Sequence, residues 1–253
     1  MDHNEQIKLT VNEKLFATNK ANIKNCTTFI SNNINLLNVI SDIENVGDKD
    51  KKTSSDELNE NKRYEKILFR RIITGDIKDM DEGKNFIESY KQLSDEEKGC
   101  LLEDIVFTLG PFDKELSFNK KLSEVKVKET GLKNSFDVVF LEKYDTYSEP
   151  PREGDKESRI YKYQIYGEIE FSECKKNIAN KIPISESKNL DPQMEKQLEF
   201  MRCVFEWRSD CNYYIPTYCN NVKPQEQYLK SYENGLYNFV KILNVQEVKR
   251  LLS

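Results

Sequence analysis

A single histidine, His3, supplies all the imidazole in 253 residues. Ser-His-Asp and Cys-His catalysis need a side chain that titrates near neutral pH. One imidazole at position 3 sets aside hydrolases of those kinds, and His-dependent phosphotransfer with them. Glycine (9) and proline (7) are too scarce for a turn-dense all-β chain. Neither G-x-x-x-x-G-K-[ST] nor G-x-G-x-x-G occurs, so the usual phosphate cradles are missing and no cofactor is indicated. No apolar run nears the ~18 residues of a membrane span. The opening "MDHNEQIKLTVNEKLF" lacks a secretory pattern. The expectation is a soluble cytoplasmic protein with no membrane partner, whose six cysteines are thiols. Excess positive charge is also wanting: the net charge is −5 and the pI about 5.3. Such a chain has no global attraction for nucleic-acid phosphates and is better suited to a basic protein partner.

What the chain has is aromatic and charged. Thirteen Phe and thirteen Tyr, with Leu, Ile and Val, suffice for a core, although a third of the residues are charged and the mean hydropathy is −0.75. "FISNNINLLNVISDI" has apolar residues near helical spacing. "GDKDKKTSSDELNENK" has almost none and reads as a linker. The pattern predicts a helical arm over 1–46, a polar linker over 47–62 and a main domain over 63–253.

Within that domain, "ITGDIKDMDEGKNFIESYKQLSDEEKGCLLEDIVFTLGP" predicts a helical pair. Ser94 and Glu97 form a capping box before the second helix, and Gly110-Pro111 ends it. "FDVVFLEKY" predicts a strand, and "RIYKYQIYGEIEF" alternates as one long half-buried strand. Asp191-Pro192 opens a further helix, with Met194, Leu198, Met201 and Phe205 on one face. "PQEQYLKSYENGLYNFVKIL" predicts another helix, and "VQEVKRLL" a short last one. The expected fold is α+β, helix-rich, with a small antiparallel sheet.

Three chemical possibilities arise. Cys203, Cys211 and Cys219 are evenly spaced, but zinc ligands come in tight pairs, so no metal site is expected from them. Cys203 beside Met201 and Phe205 reads as core. Tyr213, Tyr214 and Tyr218 fall in "NYYIPTY", read as a Pro-containing loop, and with Trp207 they are candidates for contact with a protein partner or a lid over the core. Third, Glu173-Cys174-Lys175 follows the long strand, with Asp155 before it. A carboxylate pair and a lysine near a strand are what a metal-assisted nuclease needs, to hold a cation and stabilise the phosphorane. Glu-x-Lys occurs seven times here, so the tripeptide by itself selects nothing.

The segments "ITGDIKDMDEGKNFIESYKQLSDEEKGCLLEDIVFTL", "VKETGLKNSFDVVFLEK" and "QLEFMRCVFEWRSDC" together resemble an uncharacterised bacterial family known only as a domain of unknown function. The resemblance covers about residues 66–145 and 197–211. It implies bacterial origin and carries over no functional residue; this chain lacks the family's late histidines. The functional expectation is a non-enzymatic bacterial protein-binding factor, immunity-like, that masks a protein partner. The alternative is a carboxylate-dependent, metal-assisted nuclease or phosphodiesterase using Asp155, Glu173 and Lys175.

Overall fold

A computed structural model describes residues 7–12, 21–45, 57–115, 117–127, 134–149, 160–184 and 189–253. The fold is α+β. Its spine is one eight-stranded sheet in the order β4-β5-β1-β2-β3-β6-β7-β8. The strands are β1 (Ile7–Asn12), β2 (Lys120–Val127), β3 (Phe136–Leu141), β4 (Tyr144–Glu149), β5 (Ile160–Ile165), β6 (Ile169–Ser172), β7 (Asn212–Pro216) and β8 (Val240–Leu243). Pairing is antiparallel from β4 to β6, then parallel for β6–β7 and β7–β8.

Helices cover both faces. On one side lie α1 (Ala21–Asn32), α2 (Leu36–Glu44), α3 (Glu57–Ile73), α4 (Met80–Lys91), α5 (Asp95–Leu109) and α8 (Val245–Leu252); on the other lie α6 (Pro192–Trp207) and α7 (Lys223–Ser231). Two cores result. Phe136, Val139, Phe171, Tyr213 and Ile215 pack under Leu198, Phe200 and Val204 of α6. Val138, Phe140 and Tyr214 face Leu101, Ile105 and Val106 of α5, and the α1 and α2 side chains Ile30, Leu37 and Ile40. The period-two alternation of the central strands divides the chain between them.

Local signals set the helix starts. Ser94 accepts the Glu97 N–H at 3.2 Å, and the Glu97 carboxylate accepts the Ser94 N–H at 2.7 Å. Asp191 takes the N–H groups of Gln193 and Met194, with Pro192 at the first helical position. Among the described residues no helix is long and apolar enough to cross a membrane.

Several sequence expectations change. The sheet is larger and mixed. Of the arm expected over 1–46, the described residues 7–12 and 21–45 pack into the main fold: β1 is hydrogen-bonded between β5 and β2, and α1 and α2 share the core of α5. "FISNNINLLNVISDI" breaks at 33–35 into two helices. The linker expected over 47–62 gives way to α3 from Glu57; positions 46–56 lie outside the described residues. The long strand over 160–171 is β5 and β6, separated at 166–168. The helix expected over 224–243 stops at Ser231. Gly235 takes φ 83°, and Val240–Leu243 is a strand. Short apolar runs fit either element, and the free edge of β7 decides this one.

The capping box gives a direct test. Ser94→Ala removes one bond of the reciprocal pair and should lower unfolding free energy by about 1 kcal/mol in a urea titration. An unchanged midpoint would show that α5 is held by packing alone.

Candidate functional site

The sheet sets the site by register. Ser123 and Val125 on β2 pair with Val138 and Phe136 on β3. Val138 pairs in turn with Ser172 on β6. Past Ser172 the chain continues beside β7: the N–H of Glu173 donates to the Tyr214 carbonyl and that of Lys175 to the Pro216 carbonyl, each at 3.0 Å. These registers place Glu124, Asp137 and Glu173 at one level on three neighbouring strands. The alternation also slips there. Leu122 and Val125 both serve the α6-side core although three positions apart, and so do Phe136 and Val139. The slip frees the two acids between them. Glu124 adopts φ 49°, a left-handed conformation that a non-glycine residue holds at a cost of about 1–2 kcal/mol.

Glu103 reaches the same point from α5. Oxygens of Glu103, Glu124 and Asp137, one from each, lie within 4.8 Å of one another, and all three residues are partly exposed. The other carboxylate oxygen contacts are specific. The Cys174 N–H donates to Asp137 Oδ2 at 2.6 Å. Ser135 Oγ donates to Glu124 Oε2 at 3.1 Å. Glu173, buried beside them, is ion-paired with Lys175 Nζ through Oε1. Its Oε2 accepts from Gln197 Nε2 of α6 at 2.8 Å. Gln197 is itself fixed: Nε2 also donates to the Ser135 carbonyl at 3.2 Å, and Oε1 accepts from Asn134 Nδ2 at 2.9 Å.

Four carboxylates thus share one ammonium in partly buried surroundings. Burial, then Asp137 and Glu124, push the Glu103 carboxyl up to about 8. Burial raises Asp137 to about 6, against the pull of Lys175 and of the Cys174 amide. Glu173 stands well above the ordinary carboxylate range, through burial first and Asp137 second. Burial works against the Lys175 charge, but Glu173 and Asp137 outweigh it and hold the ammonium above its usual value. The cluster has more negative charge than its own cation can offset. Protons or an added cation must supply the balance.

The residues named from sequence divide. Glu173 and Lys175 are at the site. Asp155 lies outside the described residues. The second carboxylate beside the pair here is Asp137. Tyr213, Tyr214 and Tyr218 are not in a loop tip: β7 carries the first two into opposite cores, and Tyr218 is buried after it, so none offers its ring to a partner. Trp207, at the end of α6, is 45% exposed. Cys203 and Cys211 are partly exposed and Cys219 is buried; all three are free thiols, and none joins the Glu103, Glu124 and Asp137 group.

Sequence reading missed Glu103, Glu124, Asp137 and Gln197. The signal for Asp137 was an acid interrupting "FDVVFL", and for Glu103 an acid within "LLEDIV", each inside an apolar element. Comparison with protein-family models, with curated proteins and with solved structures finds no match for this chain.

The crowding of acids has a sign that can be measured. Glu103 has a higher pKa folded than its ordinary 4.5, so the native state holds the extra proton between about 4.5 and 8. Stability therefore falls as pH rises through that window and levels off above it. Glu103→Gln removes this loss. In metal-free buffer it should match the wild type near pH 5 and exceed it by about 1–2 kcal/mol at pH 8. Parallel denaturation curves at the two pH values check it; a pH-independent difference would contradict the charge argument.

Proposed function

We propose that the protein is a divalent-metal-dependent phosphodiesterase acting on nucleic acid. The observation that carries this reading is the convergence of Glu103, Glu124 and Asp137 on one point, beside the Glu173–Lys175 pair. All donors are hard carboxylate oxygens, which suit Mg2+ or Mn2+ and not a soft ion. Oxygens within 4.8 Å of one another are within reach of a common ion, and ligands at about 2.1 Å from magnesium, roughly 3–4 Å from each other, require the trio to draw in on binding. The excess negative charge favours a cation electrostatically, and partial exposure leaves it reachable.

In this reading Glu103, Glu124 and Asp137 hold the cation, which when bound supplies Lewis acidity and an activated water. Lys175 places a fixed positive charge where the attacked phosphate gathers negative charge. Glu173 orients Lys175, and Gln197 keeps Glu173 from rotating away. The Cys174 amide holds Asp137 with one oxygen committed and the other free. Donors that are fixed before the reaction need no reorganisation during it.

The partner-masking expectation rests on the want of a cofactor loop, a usable histidine and metal-ligand spacing, and on a mildly acidic surface. The carboxylate cluster offers a group that could grip an ion, which that expectation takes to be missing; of its four contact candidates Tyr213, Tyr214 and Tyr218 are buried and Trp207 is 45% exposed.

The test uses full-length protein with single- and double-stranded DNA and with RNA, with Mg2+, with Mn2+ and with EDTA. Metal-dependent cleavage is expected, reduced about 10²-fold or more by Asp137→Asn and by Lys175→Met. No cleavage in any metal, or activity retained in both variants, would overturn the reading.

A further inference from the structure

The helix that brings Glu103 to the cluster is gripped by the sheet at its other end. From β2, Lys121 Nζ donates to the Thr108 carbonyl at 2.9 Å. Gly110 closes α5 against β3; a Cβ there would lie 2.5 Å from Phe140 Cζ and 2.6 Å from the Val106 carbonyl oxygen. Phe112 packs edge-on against Tyr214 of β7, with centroids 5.2 Å apart. Between these contacts stands Glu170 of β6, with no solvent exposure. Its Oε1 accepts the Phe112 N–H and its Oε2 the Asp113 N–H, both at 3.0 Å.

A buried carboxylate usually faces a cation or a metal. Glu170 instead uses both oxygens on two successive backbone amides. Burial raises its carboxyl to about 7 and the two amides oppose that rise. The groups with charge nearby are Asp113, which raises it further, and Lys114, which lowers it. An apolar side chain would fill the space but leave both amides without acceptors. The bonds join β6, the strand that runs into Glu173, to the Phe112-Asp113 segment that leaves the C-terminus of α5, the helix that carries Glu103. Because β6 is paired to β3, which carries Asp137, the height of the end of α5 over these two strands bears on how far Glu103 stands from Asp137.

We propose that Glu170 is a positioning residue that fixes α5 over the sheet and so places Glu103 within reach of a cation held by Asp137 and Glu124. This rests on the metal-site reading above. It is distinct from simple fold support, because the effect passes through one named side chain.

The experiment measures Mn2+ affinity calorimetrically on the full chain for wild type, Glu170→Gln, Glu103→Gln and the double variant, with thermal unfolding of each metal-free protein. Gln keeps the size of Glu170 but turns an NH2 toward one of the amides. The expected result is a 10–100-fold weaker affinity for Glu170→Gln at a temperature where it is folded. In the Glu103→Gln background the same change should add less than about twofold. Should Glu170→Gln fail to fold, Asp113→Pro deletes one donor and leaves the carboxylate in place; the same loss is expected. Unchanged affinity in the folded variant, or an equal loss in both backgrounds, overturns the proposal while the metal site stands. Absence of Mn2+ binding by the wild type overturns both.

Discussion

Four acids brought to one level of the central strands with a single ammonium among them are the constraint around which the rest of this molecule is arranged. Asp137 and Glu173 are level because Val138 pairs with Ser172. Glu124 joins them because β2 loses its alternation at the same point as β3. Glu103 enters from a helix whose apolar face is otherwise fully used. Each of these acids sits where a hydrophobic residue would be more stable in isolation. Together they form a place whose ionisation is suppressed by burial first and by its own neighbours second. Such pKa displacement is a frequent mark of functional sites.

The surrounding structure is built to hold that arrangement still. The α6-side core and the α5-side core press on the sheet from opposite faces, and Phe136 is wedged against Phe171 and Phe200, with ring centroids 4.4 and 4.8 Å away. That cluster borders Asp137 in the chain. On the other face, Val138 and Phe140 seat α5. Close-packed aromatic layers of this kind yield little to a local push, so the acids cannot relieve their repulsion by moving apart. Rigid walls convert a chemical preference for separation into a preference for a counter-charge.

Much of the architecture could be read from the chain before its structure. Ser94 and Glu97, and Asp191 with Pro192, marked helix starts by a chemistry that is local and independent of the fold. What was hidden depends on long-range pairing. β1 carries no distinctive pattern, and its place between β2 and β5 arises only from partners far along the chain. β8 has four residues and looks like the tail of a helix until β7 offers it an edge. The same holds at the site: Glu173-x-Lys175 is one of seven such tripeptides. Only the sheet distinguishes it, by bringing an acid from "FDVVFL" alongside. Asp137 is visible in hindsight as a polar break in an apolar run, but periodicity alone reads it as the solvent side of a strand.

The location of β1 has a consequence for how the chain reaches this state. Leu9 lies opposite Val127 on one side and Tyr163 on the other. Both closures span long stretches, and their entropy must be met before any ladder bond rewards it. A ribosome therefore releases β1 well before either neighbour exists, and the β4-β5-β1 wing must wait for β5 to emerge. The β4-β5-β1 wing thus rests on closures of high contact order, which favour slow formation relative to the hairpins and helix turns within each segment.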